Sequence, residues 1–208
     1  MTRLGMAVDK TRCVACNNCA MACKVENNLP DGVWWNKAVT VGGEEMYTPS
    51  GTYPDGLEMG FYTLACQHCA NPACVAVCPV EAIVRRPEDG IVVQDNEKCI
   101  GCRLCIEACP YEGVRTYIDG EPQFHLDFAV GDAAALPHYP NVVEKCQLCV
   151  HRIDRGERPA CVDICRAMAR LFGDLDDPAS EISKALASRT SEQLLTEQGT
   201  GPNVYFLT

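Results

Sequence analysis

The run CIGCRLCIEACP, residues 99–110, places cysteines at 99, 102, 105 and 109 and follows the last with Pro110. Its C-x2-C-x2-C-x3-C-P spacing is that of a loop that binds a 4Fe-4S cluster. Three thiolates within about seven residues let a tight turn wrap one cubane, with backbone N-H groups aimed at its sulfurs. The fourth cysteine lies about one helical turn on, roughly 5.4 Å along the axis, and points elsewhere. In two-cluster proteins it ligates the other cluster, so such a loop calls for a partner quartet elsewhere in the chain.

Upstream, CQHCANPACVAVCP supplies Cys66, Cys69, Cys74 and Cys78, with Pro79 behind them and one gap lengthened to four residues. CVACNNCAMAC repeats the compact spacing at Cys13, Cys16, Cys19 and Cys23. Downstream, CQLCVHRIDRGERPACVDIC carries Cys146, Cys149, Cys161 and Cys165, with one gap lengthened to eleven. All 16 cysteines of the 208 residues fall into these quartets and none is left over.

Other uses of cysteine fit this pattern poorly. Zinc sites show separated CxxC knuckles, often with histidine, whereas here four thiols crowd into one short loop three times over. Adjacent CxxC thiols would make poor disulfide cross-links. The opening MTRLGMAVDKTRC has neither the apolar core of a secretory signal nor a twin-arginine pair, so an oxidising compartment is not indicated. No apolar run approaches the ~20 residues that cross a bilayer, so no direct membrane span is expected. The chain is expected to be soluble and membrane-associated only through partners, either cytoplasmic or co-exported with a signal-bearing one. A formal net charge of −10, counted before any cluster, argues against nucleic-acid binding. Neither GxGxxG nor GxxxxGK[ST] is present and no nucleophile-base set is evident, so catalytic residues are not expected.

Pro79 and Pro110 mark the second and third quartets as one pair. Between them, VEAIVRRPEDGIVVQDNEK holds two β-rich runs, Ile83 to Arg85 and Ile91 to Val93, split by a Pro-Glu-Asp-Gly turn. That is the layout of a complete small ferredoxin unit. The first and fourth quartets then pair across it. The expected architecture is α+β, with two nested ferredoxin-like dicluster domains, loop insertions and a C-terminal tail. The outer unit is discontinuous over 1–60 and 140–175, the inner unit spans 61–120, 121–139 is an insertion, and 176–208 is the tail. Residues 24–65 and 110–145 read as surface insertions with Gly-Gly, Pro-Ser-Gly and Pro-Asp-Gly turns, open to a partner. Trp34, Trp35 and Tyr53 within the first are either locally packed or interface anchors.

Cross-ligation assigns four metal sites. Cluster 1 takes Cys13, Cys16, Cys19 and Cys165; cluster 2 takes Cys66, Cys69, Cys74 and Cys109. Cluster 3 takes Cys99, Cys102, Cys105 and Cys78; cluster 4 takes Cys146, Cys149, Cys161 and Cys23.

From DKTRCVACNNCAMAC through CQHCANPACVAVCPVEAI, DGIVVQDNEKCIGCRLCIEACPY and EKCQLCVHRIDRGERPACVDIC to FGDLDDPASEIS and PNVYFL, nearly the whole chain resembles one family. It is similar to the four-cluster ferredoxin-like electron-transfer subunits of the dimethyl sulfoxide reductase family of molybdopterin enzymes. The resemblance implies four 4Fe-4S clusters, the nested pairing, a catalytic subunit carrying molybdenum or tungsten pterin, and a membrane anchor that oxidises quinol. Several relatives have Cys-Pro where this chain has Cys165-Arg166. Where some relatives replace one cysteine and hold a 3Fe-4S cluster, every position here is cysteine.

Cluster potentials span about −700 to +450 mV with charge, hydrogen bonding and exposure. Lys24, Lys98, Arg103, Lys145 and Arg166 flank ligands in sequence, as tuning charges or as solvated surface groups. His68 lies between two ligands as a donor to sulfur or an alternative ligand. In the tail, Asp177 before Pro178 is expected to start a helix whose Ile182 and Leu186 form an apolar stripe, against either the outer unit or a partner. Two other readings stay open: the wiring subunit of a hydrogenase or formate dehydrogenase, and a free soluble polyferredoxin.

Overall fold

A computed structural model gives the fold and describes residues 2–41 and 48–208. The Gly-Gly turn expected at 42–43 lies outside the described residues. In chain order the elements are β1 (Leu4–Asp9), α1 (Asn18–Glu26), β2 (Asn36–Thr40), β3 (Phe61–Ala65), α2 (Ala73–Ala76), β4 (Ile83–Arg85), β5 (Val92–Gln94) and α3 (Leu104–Glu107). There follow β6 (Arg115–Tyr117), β7 (Val143–Lys145), α4 (Val150–Ile153), α5 (Ala160–Asp163), β8 (Arg170–Asp174), α6 (Glu181–Ser188), β9 (Ser191–Glu192) and β10 (Val204–Leu207).

Short two-stranded antiparallel ladders, β2-β3, β4-β5 and β6-β7, and four single-turn helices frame the cysteine loops. The expected inner hairpin forms as β4-β5, with Ile83 opposite Gln94 and Arg85 opposite Val92. Two-stranded ribbons are marginal alone, so the framework depends on what packs between them. α1 packs on α5, and α2 on α3.

Among the described residues one larger sheet forms, in the order β8-β1-β10-β9, with β1 and β10 parallel. Side-chain alternation gives it two different faces. Met6, Val8, Val204, Phe206 and Phe172 turn toward the cysteine loops with Cys19 and Cys161. Ala7, Leu171, Tyr205 and Leu207 turn the other way, onto α6. Residues 204–207 therefore form a central strand of this sheet. Asp9, at the end of β1, holds Arg189 through Nη2 at 3.0 Å. The Arg189 hydrogen bond keeps its carboxyl down at about 2 despite burial. A depressed carboxylate stabilises the fold above its unfolded pKa, and that contribution is lost as the pH falls toward 2.

α6 begins at Glu181, later than the Asp177-Pro178 pair suggests. Ser180 takes the N-cap, its Oγ accepting from Ser183 N at 3.1 Å, while Asp177 Oδ1 accepts from Ala179 N one turn earlier. Side-chain oxygens of Ser and Asp compete for such ends, and the β-region backbone of Ser180 suits the cap. Ile182 is fully buried, and Leu186 packs with it against the sheet. Ile182→Ala is expected to cost about 2–4 kcal/mol, read as a lowered urea midpoint in anaerobic unfolding, with iron content of the folded protein unchanged.

Of the three aromatic residues singled out in the first insertion, Trp35 is buried while Trp34 and Tyr53 are exposed. The 121–139 segment carries no helix or strand. It is pinned to the end of α1, where Val130 N donates to Asn28 Oδ1 and Asp132 N to Glu26 O. Arg155 and Arg152 already pair with Asp132 and Glu26 there, and His151 hydrogen-bonds Glu26.

Candidate metal centres

The four CxxC turns share one backbone device. The residue before the second cysteine is left-handed in each: Ala15 (φ 50°), His68 (φ 43°), Gly101 (φ 67°) and Leu148 (φ 56°). For residues other than glycine this conformation costs roughly 1–2 kcal/mol. Four repetitions in unlike sequences indicate that the turn itself is required. At Gly101 an added Cβ would also run into the Asn141 carbonyl. The compact loops repeat a second left-handed residue after the second cysteine, Asn17 and Arg103. The two longer loops share another feature: Pro72 and Pro159 cap α2 and α5, each followed by Ala and then a buried cysteine, Cys74 or Cys161.

All sixteen thiols are free of disulfides. Their grouping crosses the quartets. One cavity is lined by Cys13, Cys16, Cys19 and Cys165. Another is lined by Cys23, Cys146, Cys149 and Cys161, together with Cys66. A third holds Cys78, Cys99, Cys102 and Cys105. Cys69 and Cys109 each lie within electrostatic reach of both Cys66 and Cys74.

These surroundings suit iron and sulfide better than bare thiols. Burial pushes Cys69 up to about 11 and Cys146 up to about 12, and raises Cys23, Cys149 and Cys161 as well, with neighbouring thiolates adding to it. A thiolate at such a position needs a compensating metal charge. Backbone N-H groups already point at sulfur: Leu148 N lies 3.3 Å from Cys146 Sγ and Ala169 N 3.3 Å from Cys165 Sγ. Asn27 Nδ2 lies 3.7 Å from Cys23 Sγ. Such donors orient the ligands and favour the more negative, reduced state of a cluster.

Between the inner and outer loops runs a buried polar seam. Gln94 N donates to Gln147 Oε1 at 2.9 Å, Lys145 Nζ to the carbonyls of Val92 and Cys146, and Asn203 Nδ2 to His68 O at 2.8 Å. His68 accepts from Val92 N at Nδ1, which puts its proton on Nε2, and that nitrogen is buried without a partner. Burial, with Lys145 and Arg115 adding to it, lowers the His68 pKa, so the ring is a neutral donor.

Of the five cations that flank ligands in sequence, Lys145 alone is buried. Lys24 caps three carbonyls, the nearest Pro30 O at 2.7 Å; Lys98 meets Asp95; Arg103 lies over the Tyr117 ring; Arg166 is exposed. Two buried arginines, Arg115 and Arg170, were not singled out by ligand adjacency. Among the described residues no helix is long and apolar enough to cross a membrane.

Residues 57–121 and 136–175 match a protein-family model described as a 4Fe-4S dicluster domain. An iron-sulfur subunit of Halobacterium salinarum, named for a dimethyl sulfoxide reductase, is 48% identical over 212 residues, covering 100% of this chain and 79% of its own length. An arsenate respiratory reductase iron-sulfur subunit of a Shewanella species is 37% identical, covering 99% of this chain and 96% of its own. A polysulfide reductase chain of Wolinella succinogenes is 34% identical, covering 99% and 94%.

Proposed function

This chain belongs to the 4Fe-4S dicluster family of electron-transfer subunits found in molybdopterin oxidoreductases, and on that premise we propose how it carries electrons. It holds four 4Fe-4S clusters and relays electrons to or from a catalytic molybdopterin subunit, without turning over a substrate itself. The ligand sets are cross-quartet: Cys13, Cys16, Cys19 with Cys165; Cys66, Cys69, Cys74 with Cys109; Cys99, Cys102, Cys105 with Cys78; Cys146, Cys149, Cys161 with Cys23. The observation that carries this reading is the convergence of cysteines from different quartets on common cavities. The packing of α1 on α5 and of α2 on α3 supports two nested ferredoxin-like units, 61–120 inside 1–60 plus 140–175.

Each bound cluster supplies a one-electron site; the protein's part is to hold the four in sequence and shield the middle. Cys74 and Cys105 interact across the inner unit, Cys66 and Cys146 between units, and Cys161 and Cys19 across the outer unit. The resulting order is 3, 2, 4, 1. Its ends reach the surface: Cys102 and Cys16 are the two exposed ligands. Exposed apolar side chains lie near both, Ile100 and Leu104 beside Cys102, and Val14 and Met21 near Cys16. A wire with two open ends suits two partners, a catalytic subunit and a membrane anchor. The relatives' names span sulfoxide, arsenate and polysulfide reductases. In our reading the choice of substrate therefore lies with the catalytic partner.

Gentle affinity purification from the native cell is expected to recover a larger, pterin-containing polypeptide in equimolar amount. Recovery of a monomer that by itself reduces several unrelated soluble enzymes would establish a free polyferredoxin instead.

A further inference from the structure

The buried charges of the protein balance unevenly. Six charged side chains are buried among the described residues: Asp9, Asp89, Glu144, Arg115, Lys145 and Arg170. Each carboxylate has its own cationic or histidine partner, Asp9 with Arg189, Asp89 with Arg86, and Glu144 with His138 at 2.8 Å. The three buried cations have none. Arg170 has no carboxylate partner: it bonds Thr63 Oγ1 at 2.9 Å, Asn36 Oδ1 at 3.3 Å and Met6 Sδ at 2.9 Å, it hydrogen-bonds the Cys19 side chain, and its Nε has no partner. Arg115 Nη1 reaches Gln94 Oε1 at 3.4 Å, and its Nε is likewise unpartnered. Arg115 also stands directly opposite Lys145 in the β6-β7 ladder.

Like charges opposed across a ladder repel, and a buried unpaired cation is costly. Lysine escapes that cost by losing its proton, but arginine stays charged. Anions must therefore face these guanidinium groups, and the nearest are the cysteine sulfurs. Arg170 is the first residue of β8 and shares the face of Phe172, which brings it to the wall between two cysteine cavities. It lines both the Cys13-Cys16-Cys19-Cys165 cavity and the Cys23-Cys146-Cys149-Cys161 cavity. Arg115, held by Gln94 Oε1 in the inner seam, lies within electrostatic reach of Cys74, Cys66, Cys105 and Cys109, which belong to the two inner groups.

We propose that Arg170 and Arg115 are shared counter-charges, Arg170 for clusters 1 and 4 and Arg115 for clusters 2 and 3, each raising the reduction potentials of the two clusters it faces. They are positioning residues acting on the four proposed clusters, whose existence the proposal takes as given. A reduced cluster carries one more negative charge than an oxidised one, so a fixed nearby cation favours reduction. Because each guanidinium serves two neighbours, it also offsets the repulsion between them when both are reduced.

The test is an anaerobic redox titration followed by electron paramagnetic resonance, with iron and sulfide measured on the same samples. Arg170→Gln should retain full iron and lower the potentials of clusters 1 and 4. The reduced-to-oxidised ratio at fixed potential should fall at least tenfold, about 59 mV for one electron. Clusters 2 and 3 should shift much less, and Arg170→Lys should recover most of the loss. Unchanged potentials at full iron, an equal shift of all four clusters, or no rescue by lysine would overturn the proposal. Should Arg170→Gln lose iron, Arg115→Gln and Arg115→Lys carry the same test, with clusters 2 and 3 shifting and cluster 1 still. Wild-type protein lacking iron-sulfur clusters would refute the cluster reading itself, a result distinct from all of these.

Discussion

Cys109→Ala is expected to remove the cluster held by Cys66, Cys69 and Cys74, leaving intact the one held by its sequence neighbours Cys99, Cys102 and Cys105. Cys109 is the last residue of the third quartet, yet its sulfur interacts with Cys66 and Cys74 from the second, after burial the chief influence on it apart from Tyr111 and Arg115. α3 ends at Glu107 and packs on α2. Iron content should fall by about a quarter, one cluster of four. The resonance signal that disappears should be the one that Cys69→Ala also removes, and the signal removed by Cys102→Ala should survive. Loss of the Cys102-dependent signal would mean that each quartet serves its own cluster, and the nested arrangement would fall with it.

The cluster loops were legible because metal ligation imposes spacing on the chain, and spacing survives in sequence. The inner hairpin was legible too, within a residue at its second strand, because a Pro-Glu-Asp-Gly turn separates two β-branched runs. The four-stranded sheet was not. LGMAVD, residues 4–9, alternates with Gly5 and Ala7 on one side, so its period is weak, and its neighbours lie more than a hundred residues away at 170–174 and 204–207. The buried arginines escaped for another reason. Adjacency to a ligand in sequence picks out residues such as Arg103 and Arg166, which the loop geometry turns to solvent. Arg115 and Arg170 come instead at the first position of a strand, a few residues past Cys109 and Cys165, in VRTY and ARLF. That recurrence, six residues past Cys109 and five past Cys165, was a signal in the sequence, as was the repeated Pro-Ala-Cys at 72–74 and 159–161. Each says that two quartets are built alike.

Function follows from where these elements place charge and solvent. The sheet, α6 and the tail close one side of the outer loops, while the polar seam of Gln94, Gln147, His68 and Lys145 joins the inner loops to them. A buried hydrogen-bonded network resists rearrangement, which suits groups that must change charge without the protein moving around them. The unpartnered Nε2-H of His68, lying between Cys66 and Cys69 in the chain, is a further donor aimed at buried surroundings rather than at water.

The central claim, that sixteen cysteines exist to hold four cubanes, is tested most directly by metal and sulfide analysis of protein prepared without oxygen. The account predicts about sixteen iron and sixteen inorganic sulfide per chain, with negligible zinc. Stoichiometric zinc with little or no sulfide would contradict it.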